Sequence, residues 1–343
     1  MHGNHLAQFL QHSTAFPAQN GIGAARPLGH TAKLVERCTK LGTVNYRLLL
    51  VHAHPDDESS QSAATIMKYC SAGAQVTLVT CTLGEKGEIL LPEFSHLSPS
   101  ELGRHRANEL RAATGLLGLD DLVFLGGPGR YHDSGMTTDE AGRVMAPETL
   151  PDNAFWKADL LEAADHLVAI IRDRRPHVIS TYNPHGGYGH PDHIQAHRVT
   201  MYAVTLAAVA EHREDLGPAW RVPRVLWSVY NTGAWERGYE MADERFPGLF
   251  DERHARRLSK VTPKEAIVAV IPYADNADRA RAALGAHASQ VNLSDPFWQV
   301  HQLVNRLDGG GDAYVFVSGT PLPDDGAPHP CIFTGLDEDT QPL

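Results

Sequence analysis

The sequence contains few cysteines, no long apolar run and a deficit of positive charge. Four cysteines occur among 343 residues and none forms a CxxC pair, which is typical of a reducing compartment. No apolar run approaches the roughly 18 residues of a membrane span, and the N-terminus lacks the basic and apolar regions of a signal peptide. The formal net charge of −11 leaves little excess positive charge to neutralise phosphates. We therefore expect a cytoplasmic protein that binds neither nucleic acid nor membranes.

Several common sequence patterns are also missing. The chain shows no internal repeat of solenoid period and no low-complexity tract. A dinucleotide-binding fold would carry GxGxxG after its first strand, but the corresponding turn reads HAHPDDES. The glycine cluster LGGPGR at residues 125–130 is too short to replace that motif, and we interpret it as a turn. These absences argue against a nucleotide-binding or solenoid protein.

What is present is an alternation of short apolar runs and helix-like stretches from about residue 44 to residue 214. The runs are YRLLLVHA, QVTLVTCT, LVFLGG and HVISTY, and the helix-like stretches cover residues 59–72, 99–118, 157–174 and 191–214. This order predicts an α/β fold, namely a Rossmann-like, mainly parallel sheet with helices on both faces.

The two ends of the chain differ from this core. Residues 1–43 show no clear period, and we predict a disordered or loosely packed extension. Residues 215–343 are predicted to be a C-terminal elaboration of the core. They contain two predicted strands, RVLWSVYN and EAIVAVIPY, a helix near 274–290 and a tail. We therefore predict a single domain over residues 44–343.

Two clusters of histidine and aspartate follow predicted strands. HAHPDDES supplies His54, Asp56 and Asp57, and YNPHGGYGHPDH supplies His190 and His193. In open α/β sheets, ligands bind at the carboxyl ends of the strands. Catalytic zinc is commonly held by three protein ligands, a role that suits two of these imidazoles and one carboxylate, those of His54, Asp57 and His193. Asp56 would remain as a general base, and His190 could donate to an oxyanion.

Other interpretations of these clusters stay open. Two His and a carboxylate also describe non-haem iron oxygenases, although the α/β order and the extra Asp56 favour hydrolysis. A non-catalytic metal-binding protein would have no need of Asp56 or His190. Aspartates at strand ends can also simply cap helices. His197 has helical i, i+4 spacing from His193, but the Glu of HExxH is missing.

At these residues the sequence resembles the LmbE-like, or PIG-L, family of zinc-dependent N-acetylglucosaminyl deacetylases. LVTCTLGEKGE, LGGPGRYHDSGM and GAHASQV are similar to the branch that deacetylates N-acetylglucosaminyl-inositol in mycothiol biosynthesis. The resemblance spans roughly residues 46–290. The sibling branch of mycothiol S-conjugate amidases carries Lys where this chain has Gln61 and lacks the DSGM segment. Both differences favour the deacetylase, and the amidase stays as the alternative.

The resemblance implies one Zn²⁺ per subunit, although Fe²⁺ accepts the same ligand set. It implies that His54, Asp57 and His193 are the metal ligands and that the substrate is a small sugar-inositol. The resemblance also implies that Asp56 is a general base that later protonates the leaving amine and that His190 is an oxyanion donor. Asp192 is implied to tune this donor, and Tyr188 to be a mobile tyrosine that polarises the amide carbonyl. Arg106 and Asp133 are expected to hold sugar hydroxyls, and Gln290 to close over the substrate.

Overall fold

A computed structural model describes residues 45–140, 142–245 and 262–336 of the chain. The predicted extension, residues 1–43, lies outside the described residues, so its prediction stays open. Within the described part, no helix is both long and apolar enough to span a membrane.

Seven of the nine strands in the described residues form one sheet, in the order β3-β2-β1-β6-β7-β9-β8. The first five strands in this order pair in parallel, whereas β9 pairs antiparallel with both β7 and β8. Strands β4 and β5 form a separate two-stranded hairpin. The bounds are β1 Arg47–His52, β2 Gln75–Thr80, β3 Asp121–Phe124, β4 Thr137–Thr138, β5 Val144–Met145, β6 Val178–Tyr182, β7 Arg224–Val229, β8 Ile267–Ile271 and β9 Asp312–Gly319.

Helices lie on both faces of this sheet, as the sequence predicts. Among the described residues they are α1 Asp57–Gln61, α2 Ala63–Ser71, α3 Pro99–Leu117, α4 Leu160–Arg174, α5 Gly186–Gly189, α6 Pro191–Ala207, α7 Thr232–Arg245, α8 Ala277–Gly285 and α9 Pro296–Val304. The long α3 begins with a capping box between Ser98 and Glu101 and ends at Leu117, where it is followed by Gly118, whose φ of 80° suits glycine.

Successive residues of β1 point into two different cores. Leu48 and Leu50 pack with α2, α3 and α8, whereas Leu49 and Val51 pack with α4 and α6. All four side chains are fully buried, and each contributes about 2 kcal/mol to the free energy of unfolding. A strand buried on both faces reads as a continuous apolar run, which is why LLLV predicts the centre of the sheet. The predicted fold class is confirmed.

The C-terminal third contains more regular structure than the sequence predicts. Strand β9 lies in the stretch interpreted as a tail, and helices α7 and α9 pack on each other through Trp235, Tyr239, Val300 and Val304. The predicted helix over residues 59–72 is divided at Ser62 into α1 and α2, and the helix predicted over 274–290 already ends at Gly285. Strand β9 is defined by its partners β7 and β8, a long-range pairing that local pattern does not reveal.

The strand order reverses between β1 and β6. From β1 the chain builds the sheet outward through β2 and β3, and from β6 it builds in the opposite direction through β7. The carboxyl ends of β1 and β6 therefore flank a crevice at a topological switch point, where ligands bind in sheets of this kind. Both His-rich motifs follow these two strands.

Candidate active site

The structure brings the two motifs together at the switch point. The ring centroids of His54 and His190 are 4.5 Å apart, and those of His54 and His193 are 5.3 Å apart. All three histidines are buried. Two turns separated by more than 130 residues thus form one cluster, as their positions at strand ends predict.

The carboxylate of Asp57 lies between two imidazoles. Its Oδ2 is 3.5 Å from Nδ1 of His54, and its Oδ1 is 3.4 Å from Nε2 of His193. The same oxygens accept hydrogen bonds from the main-chain N–H of His54, at 2.9 Å, and from the side-chain amide of Gln61, at 2.9 Å. These bonds orient the carboxylate toward both rings.

Hydrogen bonding determines the tautomer of His193. Nδ1 lies 3.2 Å from the carbonyl oxygen of Gly186, which can only accept, so Nδ1 carries the proton. Nε2 therefore presents a lone pair, and this buried atom has no hydrogen-bond partner among the described residues. The ring stacks on Tyr182, with centroids 4.1 Å apart. An oriented imidazole whose lone pair is unpaired is what a metal ligand requires.

His54 is oriented in a similar way from its far side. Its Nε2 lies 3.3 Å from Oδ2 of Asp192 and 3.6 Å from Oδ1 of Asp133. With its proton on Nε2, the neutral ring presents the Nδ1 lone pair toward Asp57. Burial alone would lower the pKa of His54, but the surrounding carboxylates raise it well above its usual value. The cluster therefore favours a positive charge at this point.

His190 has the opposite arrangement of donor and acceptor. Its Nδ1 accepts the main-chain N–H of Asp192 at 3.1 Å, so the proton of the neutral ring is on Nε2. Burial, together with His54 and His193, lowers the pKa of His190 to about 3. His190 thus remains a neutral N–H donor near neutral pH.

Two compact groups of candidate metal ligands occur among the described residues. One contains His54, His190 and His193, and the other contains His54, Asp133 and Asp192. Asp57 belongs to neither group, although its carboxylate lies 3.5 Å from Nδ1 of His54 and 3.4 Å from Nε2 of His193. The Nδ1 lone pair of His190 is already used, and Asp133 and Asp192 face the protonated edge of His54. His54, Asp57 and His193 are thus one set of residues that could present lone pairs to a divalent metal.

Asp56 is held in an unusual backbone conformation. Its φ of 117° and ψ of −28° cost a residue other than glycine about 1–3 kcal/mol. Its carboxylate makes no capping bond to α1 but accepts from Nη2 of Arg106 at 2.9 Å. Burial raises the pKa of Asp56 to about 6, and the guanidinium opposes this shift. The geometry matches the helix-cap interpretation neither for Asp56 nor for Asp192. The carboxylate of Asp192 also accepts from outside its own helix, from the N–H of Ser134 at 2.8 Å.

The predicted substrate residues lie around the same crevice. The guanidinium of Arg106 donates to the carbonyl oxygens of Gly84 and Pro55, at 2.5 and 2.6 Å, besides its bond to Asp56. The carboxylate of Asp133 accepts two main-chain N–H groups, from Lys86 at 3.1 Å and Gly135 at 2.8 Å. Both side chains are buried and bonded to the protein.

Gln290 and Tyr188 are the more accessible members. A β-carbon at Gly87 would lie 2.0 Å from Oε1 of Gln290 and 2.6 Å from Nη1 of Arg106, so the ends of both side chains lie directly against this glycine. Tyr188 is 45% exposed, and its ring centroid lies 5.1 Å from that of His193. It is carried on α5, where Gly186 has φ of 61° and leaves no room for a β-carbon against the backbone of Ile194. Asp192, predicted to tune His190, donates its main-chain N–H to Nδ1 of His190, and its carboxylate contacts the side chain of His54.

Several residues of the site were not assigned a role from the sequence. They are Tyr182, which stacks on His193, and the buried pairs Glu58–His287 and Glu109–Ser289, which attach the segment after α8 to α1 and α3. GAHASQV contains two of these residues, but only the tertiary structure reveals their partners. His197 points away, with Nδ1 2.9 Å from the carbonyl oxygen of Tyr182.

Comparison with known proteins is consistent with this site. A family model described as GlcNAc-PI de-N-acetylase (PIG-L) matches residues 49–204, a segment that contains both motifs. A 1D-myo-inositol 2-acetamido-2-deoxy-alpha-D-glucopyranoside deacetylase of Kribbella flavida is 46% identical over 300 residues, covering 84% of this chain and 98% of that protein. A protein of the same description from a Nocardioides species is 44% identical over 285 residues, covering 81% and 94%.

Solved structures agree at the level of the fold. An N,N'-diacetylchitobiose deacetylase from Pyrococcus horikoshii superposes with a TM-score of 0.55 at 16% identity, covering 85% of this chain and 94% of that one. A conserved protein of Thermus thermophilus gives a TM-score of 0.51 at 23% identity, covering 82% and 97%.

Proposed function

The chain belongs to the GlcNAc-PI de-N-acetylase (PIG-L) family, and from this premise we propose that it hydrolyses the acetamide of N-acetylglucosaminyl-inositol. The products are glucosaminyl-inositol and acetate, and the reaction is a step of mycothiol biosynthesis in the cytoplasm. The observation that carries the proposal is the arrangement of two oriented imidazoles around the carboxylate of Asp57, with the separate carboxylate of Asp56 adjacent.

We assign the metal site to His54, Asp57 and His193. The unpaired Nε2 lone pair of His193 and the net preference for positive charge at His54 support this assignment. A divalent ion bound there, zinc by default and ferrous iron as the other candidate, supplies a Lewis acid that polarises the amide carbonyl and acidifies water. Asp192 and Asp133 orient His54 from behind, and Gln61 orients Asp57.

The protein's own residues then move the protons. Asp56 takes a proton from the attacking water and returns it to the leaving amine. The Nε2–H of His190 donates to the oxygen of the former carbonyl as negative charge develops there, and Tyr188, at the open side, gives a second donor. Removing one such donor typically costs about 10²–10³ in kcat.

Substrate positioning completes the proposal. Gln290 and Arg106 lie beside the same residue, Gly87, which places a hydrogen-bonding surface next to the base. Asp133 reaches the same cluster through its contact with His54. We propose that these three residues orient the sugar hydroxyls, as bidentate and acceptor contacts orient a polyol.

The test is a comparison of two substrates with one metal-reconstituted enzyme. Release of free amine is measured from N-acetylglucosaminyl-inositol and from a mycothiol S-conjugate, with the D56N variant as the blank for each. We expect kcat/KM to be higher for the first substrate. A higher value for the conjugate would identify the amidase instead, and no release above the blank from either substrate would contradict the proposed function.

A further inference from the structure

A buried ion pair lies next to the proposed base and has no part in the reaction described above. Nε2 of His287 is 2.8 Å from Oε1 of Glu58, and the two side chains are 0% and 1% exposed. Glu58 belongs to α1, and His287 follows α8 in the C-terminal third of the chain. The pair therefore connects the motif of the first strand to a segment more than 220 residues away.

The other carboxylate oxygen of Glu58 contacts the base itself. Oε2 accepts the main-chain N–H of Asp56 at 3.0 Å. Asp56 is the residue with φ of 117°, a region that residues other than glycine occupy only when neighbouring contacts hold them there. The hydroxyl of Ser59 also donates to Oε1, so Glu58 has a partner on each oxygen.

Asp56 is thus held from two directions. Arg106 binds its carboxylate at 2.9 Å and the carbonyl oxygen of Pro55 at 2.6 Å, whereas Glu58 binds its main-chain N–H. Arg106 controls where the carboxylate points, and on the other side Glu58 is the one acceptor of the Asp56 backbone N–H among the described residues. Glu58 in turn keeps its orientation through His287.

We propose that Glu58 and His287 are a pair of positioning residues that hold the backbone of Asp56 in its strained conformation. The inference rests on the proposed function, because the pair affects the reaction only by positioning Asp56, the proposed base. It also assigns a role to the C-terminal elaboration, which supplies His287 and thereby completes the catalytic turn. Displacing a catalytic group by about 1 Å can cost roughly 100-fold in rate, so such a device would be visible in kcat.

The experiment compares H287L, H287Q and E58Q in the full chain with the unmodified protein. Leucine fills the space without a donor, and glutamine at 287 restores a donor. The amide at 58 has one acceptor oxygen, whereas Asp56, Ser59 and His287 share two in the carboxylate. Four quantities are measured for each protein: kcat, KM, bound metal and the hydrogen-exchange rate of the Asp56 amide. H212L is the matched control, because His212 pairs with Asp165 at 2.6 Å on α4, outside the site.

We expect H287L and E58Q to lower kcat by roughly 10- to 100-fold with KM within about threefold and metal content unchanged. The Asp56 amide should exchange at least tenfold faster, H287Q should recover most of both effects, and H212L should show neither. Unchanged exchange at Asp56 in both H287L and E58Q would overturn the proposal. If H287L fails to fold, E58Q and H287Q decide it. Because exchange needs no substrate, failure of the proposed function would appear separately, as an unmodified protein without activity.

Discussion

The guanidinium of Arg106 lies 2.9 Å from Oδ2 of Asp56, and Arg106 is 3% exposed while the carboxylate of Asp56 is 27% exposed. This contact joins a residue predicted to bind substrate with the residue predicted to act as base. The three hydrogen bonds of the guanidinium go to Asp56, Pro55 and Gly84, all of them on turns that follow β1 and β2. Arg106 is therefore part of the structure that shapes the base.

Replacing Arg106 with methionine should destabilise the protein and slow the reaction together. R106M leaves the partly buried carboxylate of Asp56 and two carbonyl oxygens without their donors, which should lower the free energy of unfolding by about 3 kcal/mol. We expect kcat to fall at least tenfold. An activity assay measures kcat, and chemical denaturation measures the free energy of unfolding. R111M on the same helix is the control, because Arg111 is exposed and should change stability by less than about 0.5 kcal/mol. A rise in KM with unchanged kcat and stability would instead assign Arg106 to substrate binding alone.

Metal analysis of purified variants should distinguish the proposed metal ligands from the proposed base. We expect D56N to retain bound metal and lose activity by about 10²–10⁴, because the amide cannot accept a proton. H193A should lose metal, since it removes the buried lone pair that no other group satisfies. Metal content is measured on both purified variants, with H197A as the control for a nearby histidine outside the cluster. Loss of metal from D56N would refute the division of roles between Asp56 and Asp57.

Gln61 should strengthen metal binding without contacting the metal. Its side-chain amide donates to Oδ1 of Asp57 at 2.9 Å, and partners of this kind typically contribute 10- to 100-fold to metal affinity. Q61L keeps the volume and removes the donor, so we expect metal affinity to fall about tenfold in competition with a chelator. S60A is the neighbouring control and should bind metal as the unmodified protein does. Equal affinity in Q61L would show that Asp57 is oriented by the N–H of His54 alone.

The parallel core and the location of the site could be predicted because both depend on local pattern. LLLV in β1 and the apolar runs of β2 and β6 predict strands buried on both faces, and the connections between them predict parallel pairing. Since parallel strands end at one edge, the motifs after β1 and β6 were expected at the same edge, and the pairing of β1 with β6 brings them together. That reasoning needed only the sequence of each segment and the general behaviour of α/β sheets.

The contacts that orient the site could not be predicted in this way. The charge of Arg106 and its place on a helix are evident in the sequence, but its bond to Asp56 depends on how α3 packs. Glu58 and His287 belong to two quoted motifs that nothing in the sequence connects. Strand β9 pairs with β7 and β8 on both sides, and its apolar run AYVFV, which follows a run of glycines, was interpreted as part of the tail.

Asp312, the first residue of β9, gives the fold a pH-dependent contact outside the cluster of candidate metal ligands. Its carboxylate accepts the main-chain N–H of Thr65, near the start of α2, at 2.7 Å and the hydroxyl of Tyr273 at 3.0 Å. Burial raises the pKa of Asp312 to about 7, although both hydrogen bonds favour the charged form. In an unfolded chain the carboxyl would titrate near 3.9.

Stability should therefore fall as the pH rises through the folded pKa of Asp312. Between the two pKa values the folded state binds one more proton than the unfolded state, so the stabilisation is complete below about pH 4 and is lost by about pH 8. Relative to D312N, the free energy of unfolding of the unmodified protein should decrease by about 2 kcal/mol from pH 5 to pH 7. Urea denaturation at a series of pH values measures this difference, with D275N as the control for an exposed aspartate. Parallel curves for the unmodified protein and D312N would mean that Asp312 is ionised throughout, with its hydrogen bonds outweighing burial.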